Sequence, residues 1–353
     1  MNRIVIIGNG FDKAYGMKTS YGDFLQYLQN SIMQFRNNFG LRTRAWGKRA
    51  HDDVFHPGII HLKGVDNNHD KWVAVKVDDS VFSIDLVTNP DSDSIFYDKI
   101  FKKNPAFGLW SDFESQYFKC ILANSESETR IKLINEEFNH LKQLFVHYLI
   151  DEVEAKSESL PIINNHIEGI VKKRQFERKF EKNYFVTFNY TEKILKDLIT
   201  KLRIAYDSID LFSDPIHIHG SLSDPKNPII FGYGDEDSTE YQNLENSLND
   251  DLLVNFKTFQ YLRTNKYRQV LGLLTESTEI YVQIIGHSCG LCDKALLKTI
   301  FEHDNVKNIE VVYHKDESKY FEKLYAISRI FDENVLMREK LVPYEDSLMI
   351  QST

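Results

Sequence analysis

The chain begins with an apolar, β-branched run, Ile4-Val5-Ile6-Ile7, cut off by Gly8-Asn9-Gly10. A short continuous run bounded by glycine predicts a parallel strand buried on both faces. Apolar residues then recur at helical spacing over residues 23–35, at Phe24, Leu25, Leu28, Ile32 and Phe35. From Arg36 to Gly108 the pattern turns polar and loop-like. Within it, residues 72–77 and 81–87 flank Asp78-Asp79-Ser80 and predict a β-hairpin. Trp110 opens a new helical stretch, and residues 130–154 predict a long amphipathic helix. Its stripe of Ile131, Ile134, Phe138, Leu141, Leu144, Phe145, Tyr148 and Leu149 is read as core packing.

The second half alternates. Residues 184–188 predict a strand running into Asn189-Tyr190-Thr191, with Thr191 as N-cap of a helix that turns Ile194, Leu195, Leu198, Ile199 and Leu202 inward. Further strands are expected at 216–219, 229–231, 279–285 and 309–313, and helices at 256–275, 291–302 and 317–331. Strands alternating with helices mean a parallel α/β sheet. Residues 1–35 and 109–353 are assigned to that domain and 36–108 to an insertion. In such sheets ligands bind beyond the carboxyl ends of the strands. Asn9, Asn189, His219, Gly232 and Ser288 each follow a predicted strand, so one site built from several strand ends is expected.

Composition narrows the class. The 353 residues are 42% hydrophobic, enough for a substantial core, and carry a formal net charge of −9. An acidic balance argues against a protein whose main task is to coat nucleic acid or an acidic membrane. Three cysteines, Cys120, Cys289 and Cys292, make no disulfide framework and fit a reducing cytoplasm. The first apolar run is too short for a signal peptide, and no stretch approaches the ~20 residues that span a bilayer.

The candidate chemistry sits at the strand ends. A strand, a glycine turn and a helix start present free N–H groups to a phosphate, although the same turn also occurs without a ligand. Lys13 stands where a third glycine would complete a dinucleotide fingerprint. His219 titrates near neutrality and is the candidate base, with His217 two residues away as its competitor. Asn189 can orient a water or a ribose hydroxyl. Gly286-His287-Ser288-Cys289-Gly290 matches the nucleophile elbow of serine hydrolases, with His303, His314, Asp304 and Asp332 as possible partners for Ser288. Cys289 and Cys292 form a single CxxC, too little for a zinc site and more simply read as buried cysteines.

Taken together, the motifs resemble the bacterial AbiH abortive-infection family. They are GNGFD with TSY and Phe24 (Gly8 to Phe24), WSDFE (Trp110 to Glu114), FNYT (Phe188 to Thr191), HIHGS (His217 to Ser221), IIFGYGDE (Ile229 to Glu236) and GHS-x-G-x2-DK (Gly286 to Lys294). More distantly, the order of motifs is similar to that of sirtuin-like NAD-hydrolysing defence domains. The resemblance implies an α/β, Rossmann-like, sirtuin-like parallel sheet with a helical and β-hairpin insertion, acting in phage defence. It implies NAD as substrate, with Gly8, Asn9 and Gly10 on the phosphates and Phe11 among the cofactor-binding residues; Asp12, also counted there, has no simple sirtuin counterpart and is a candidate replacement for the missing carboxylate. Asn189 would position the nicotinamide ribose or the attacking water, and Thr191 stands where the sirtuin-like pattern has aspartate. His219 would be the general base, with Gly286 and Ser288 at the adenosine half and Asp293 fixing their loop. Asp112 and Glu114 either replace the missing carboxylate or simply begin a helix. No metal and no membrane or nucleic-acid partner is expected; the trigger stands open between a phage product and assembly into a homo-oligomer. A serine hydrolase built on Ser288 and a non-catalytic nucleotide-binding module are the alternatives.

Overall fold

The computed structural model describes residues 1–28, 110–157, 165–314 and 316–350, with four two-residue strands between residues 61 and 87. The chain forms two compact units. The first comprises Met1–Lys18, Lys156–Ser238 and Phe256–Thr353; the second comprises Thr19–Ala155 and Thr239–Asn255.

The first unit is built on six parallel strands: β1 (Asn2–Ile7), β2 (Asn183–Thr187), β3 (Ile216–His217), β4 (Ile280–Ile285), β5 (Val306–His314) and β6 (Met349–Ile350). They lie in the order β6-β5-β4-β1-β2-β3. From the other edge this reads 3-2-1-4-5-6, the strand order of dinucleotide-binding Rossmann folds, and it reverses between β1 and β4.

The apolar run at the amino end is explained by two separate cores. Ile4 and Ile6 pack into one cluster, while Val5 and Ile7 pack into another on the opposite face. Successive strand residues point to opposite faces, so covering both faces removes the polar alternation. One layer of helices comprises α1 (Asn9–Ala14), α2 (Asn165–Arg178) and α3 (Lys193–Ala205). Leu195, Leu198, Ile199 and Leu202 of α3 recur at helical spacing and are buried in that layer. The opposite layer comprises α4 (Lys266–Glu276), α5 (Lys294–Phe301) and α6 (Glu317–Ser328).

A polar network crosses the middle of the sheet. Arg3 on β1 is fully buried and donates to Asn183 on β2 (2.6 Å), Gln283 on β4 (3.2 Å) and the carbonyl of Val171. Gln283 and Tyr281 donate to Glu310 on β5, which Arg174 also meets. Burial lowers the Arg3 guanidinium to about 9, with Glu310 opposing that shift.

Apart from the four short strands between residues 61 and 87, the described part of the second unit is mainly helical. Helices over Trp110–Ala123 and Glu128–Tyr148 pack through Phe113, Tyr117 and Phe138, with the Tyr117 and Phe138 rings 4.1 Å apart. The whole predicted stripe from Ile131 to Leu149 is buried. Tyr117 and Asn255 both donate to Asn135, which secures the second chain segment of this unit. Asp112 falls in the first turn of its helix, where the macrodipole favours a carboxylate.

Several expectations change. Residues 229–231 form no strand: the Ile230 N–H donates to the His219 carbonyl at 2.7 Å, and Ile230 shares the core of Ile218. An apolar run says that a segment is buried, not that it pairs in a sheet. Gly232 therefore ends no strand of the sheet. Thr191 is not the N-cap of α3; Glu192 is. The helix expected at 256–275 is split into Lys257–Gln260, a 3-10 turn at Tyr261–Arg263, and α4. Strand β6 and a helix over Asn334–Lys340 carried no readable pattern.

In the polar region, Lys71–Trp72 pairs antiparallel with Leu86–Val87, a register centred on Asp79 in the expected turn. Ala74–Val75 pairs instead with His61–Leu62. The rest of residues 29–109, including most of the insertion and the end of the first predicted helix, lies outside the described residues. Among the described residues no helix is long and apolar enough to cross a membrane.

Candidate functional site

The carboxyl ends of β1, β2, β3 and β4 converge through a chain of contacts. After β1, the Gly8 carbonyl accepts from the Asn189 side-chain amide at 3.1 Å, which fixes that amide beside the first turn. The Asn189 carbonyl, after β2, lies 3.2 Å from Nδ1 of His217 on β3. His219, two residues on, meets Asp293 from the turn that follows β4 at 3.2 Å. Asn189, Thr191, His219 and Asp293 are all buried.

Asp293 is the hub. Lys257 Nζ lies 2.7 Å from its Oδ1, and the Nε2 atoms of His219 and His287 lie 3.2 and 3.4 Å from its two oxygens. Burial alone would raise the carboxyl, but Lys257 and the two histidines outweigh it and hold Asp293 well below the usual carboxylate range. An ionised carboxylate only accepts, so both histidines present Nε2–H to it. For His287 the other side agrees, because its Nδ1 accepts from the Cys289 N–H at 3.0 Å. Burial, helped by Lys257, pushes His219 down to about 4, so its ring is neutral at physiological pH. Tyr261 OH sits 3.1 Å from the same nitrogen, and the Phe188 ring packs edge-on against His219 and tilts over His287.

The glycines serve close packing of the chain on itself. A Cβ on Gly8 would lie 2.4 Å from the His287 Cα, and one on Gly10 would lie 2.7 Å from the Gly286 carbonyl. Gly286 has φ +71°, and its Cβ would meet the Phe11 nitrogen at 2.2 Å. The N–H of Gly10 donates to the Gly286 carbonyl at 2.8 Å. The two glycine turns flanking the topological switch point are thus bonded to each other. Asn9 begins α1 and is half-buried, whereas Phe11 is a core residue packed on Tyr15. Asp12 is buried and accepts from the Thr191 hydroxyl at 2.6 Å, the contact that takes Thr191 away from the cap position.

Ser288 is half-buried and, among the described residues, makes no hydrogen bond to a histidine. The left-handed backbone of its loop falls at Gly286 and at Cys289 (φ +56°), not at Ser288. A nucleophile elbow would need the strained turn at the serine itself. Burial raises the Cys289 thiol to about 12, and Cys292 is buried too, so this CxxC is a pair of core thiols. Among the described residues no group of three or more His, Cys, Asp or Glu side chains is arranged to hold a metal ion.

Lys257, Tyr261 and His287 were not expected in the site. His287 lay inside a motif singled out for its serine. Lys257 and Tyr261 lie in a stretch read only as helix, and their partners are 36 and 42 residues away in the chain.

Among known proteins, no curated sequence and no solved structure matches this chain. The family model described as "Bacteriophage abortive infection AbiH" matches residues 4–315, which takes in every strand end described above. The chain belongs to the AbiH family of bacteriophage abortive infection proteins.

Proposed function

We propose that this AbiH protein carries out abortive infection by hydrolysing NAD at the nicotinamide–ribose bond, at the carboxyl edge of its sheet. The observation that carries the reading is the convergence of Asn189, His219 and Asp293 there, in a sheet with the dinucleotide-binding strand order. Water attacks the ribose carbon, the bond to nicotinamide breaks, and the products are nicotinamide, ADP-ribose and a proton. Cleavage of such a bond builds positive charge on the sugar, so a weak base suffices to take the proton from water. His219 is neutral, with Nε2–H held by Asp293, which leaves the lone pair at Nδ1 to accept it. Asn189, its amide fixed on the Gly8 carbonyl, orients the water or the ribose hydroxyl.

The test is release of nicotinamide from NAD by the purified protein, alongside phage challenge of cells that carry it. His219→Ala and Asn189→Ala each lower turnover by about 100-fold or more, the usual scale for general-base catalysis. A folded His219→Ala variant that consumes NAD at the parental rate ends this mechanism. Saturable NAD binding without cleavage points to a non-catalytic nucleotide module, and covalent labelling of Ser288 by a fluorophosphonate points to a serine hydrolase.

A further inference from the structure

At the β3 edge of the sheet, against α3, lies a pocket of about 470 Å³. That is within the range of small-ligand sites. His217, Asn227, Glu192 and Ser221 line it. None of the candidate residues of the preceding section lies in its wall.

Its polar atoms are mostly acceptors. His217 faces the Asn189 carbonyl with Nδ1, and a carbonyl only accepts, so Nδ1 carries the ring proton. Burial holds the ring below its ordinary value, and it is neutral. Nε2 is then a bare lone pair; it is buried and makes no hydrogen bond. The Asn227 amide donates through Nδ2 to the His217 carbonyl at 2.9 Å, which fixes its orientation. Its Oδ1 is a second buried acceptor with no partner. The Glu192 carboxylate, which accepts from Ser221 and Lys196, lies beside them in the wall. Buried acceptors without partners are rare in folded proteins and call for an explanation.

A ligand that meets these two atoms must be a donor. The wall balances Lys196, Arg203 and Lys266 against Glu192, Asp214 and Asp224, with Lys196 paired to Glu192 and Arg203 to Asp214, so it offers no net negative charge to a free cation. A metal ion lacks a ligand set among the described residues. A neutral vicinal diol supplies two O–H donors on adjacent carbons. Lys266 stands ready for an attached phosphate.

We propose that this pocket binds the diol of a ribose phosphate, whose two hydroxyls donate to His217 Nε2 and Asn227 Oδ1. The inference does not rest on NAD cleavage. A protein that binds ribose phosphates here yet leaves NAD intact would lose the proposed reaction and keep this site.

The experiment is calorimetric titration of the whole protein with D-ribose 5-phosphate and with 2-deoxy-D-ribose 5-phosphate. The ribose form binds, the deoxy form binds at least tenfold more weakly, and His217→Leu loses the ribose form by a similar factor. His217→Gln, which keeps an acceptor, recovers part of the affinity; a purely structural histidine would not show that rescue. Should His217→Leu fail to fold, the Nε2 resonance of His217 in histidine-labelled parent protein shifts on titration with D-ribose 5-phosphate. Absence of binding, equal affinity for the two sugars, or an unmoved resonance at saturation overturns the proposal.

Discussion

Asp293→Asn tests whether charge holds the strand-end cluster together. The substitution keeps the shape of the side chain but leaves one acceptor oxygen in place of two, so the amide accepts from one of His219 and His287 and turns its NH2 toward the other. It removes the charge that neutralises Lys257, whose side chain is 1% exposed and whose ammonium lies 2.7 Å away. Breaking a buried pair from one side typically costs about 3–5 kcal/mol, because the remaining ion stays desolvated. The unit concerned has roughly 200 residues, for which 1 kcal/mol moves the midpoint by about 2–4 °C, so a fall on the order of 10 °C is expected. A second signature follows from linkage. In the variant, the folded pKa of Lys257 drops below its unfolded value of about 10.4. The unfolded state then binds more protons between those two values, so stability rises with pH by up to about 1.4 kcal/mol per unit. Adding Lys257→Met removes the stranded ion and restores much of the loss. Scanning calorimetry of parent, single and double variants at pH 7 and pH 9 reads all three effects. A single variant within 1 kcal/mol of the parent, or a double variant no more stable than the single one, would refute the electrostatic account.

Two further outcomes follow from the same loops. Gly286→Ala places a Cβ 2.2 Å from the Phe11 nitrogen at φ +71°, so it should cost several kcal/mol, while Gly169→Ala, inside α2 with nothing within 4 Å, should raise the thermal midpoint slightly. His219 has a folded value of about 4 against about 6.5 unfolded, so the unfolded state takes up the proton first; stability is full above about pH 6.5 and falls by about 1.4 kcal/mol per unit toward pH 4. His217 is lowered as well and adds to that slope, so the check is the difference between the parent and His219→Gln in urea titrations from pH 7 to pH 4.5. A variant slope as steep as the parent's would show that His219 does not titrate this way.

The amino-acid pattern alone determined the α/β class, the parallel sheet and the placement of Asn9, Asn189, His219 and Ser288 near strand ends. It could do so because burial on both faces leaves a continuous apolar strand, and burial on one face leaves a helical stripe. Both signals are local: Ile4 to Ile7, and Leu195 to Leu202, carry them within a few residues. The ordered motifs placed the chain in its family for the same reason. Tertiary structure alone decided the rest. The polar network of Arg3, Gln283 and Glu310 joins β1 to β4, 280 residues along the chain, and then to β5, and a buried arginine in an apolar run has no local signature. The glycines expected to bring the backbone close to a ligand also hold two turns against each other, which only the neighbour 2.2–2.8 Å away reveals, since a missing Cβ leaves no local sign of what approaches it. His217 and His219 share one strand end, with His219 the expected base and His217 its competitor. Folding gave His219 a carboxylate and left His217 with a bare nitrogen, because hydrogen-bond partners are supplied by distant loops and not by sequence spacing.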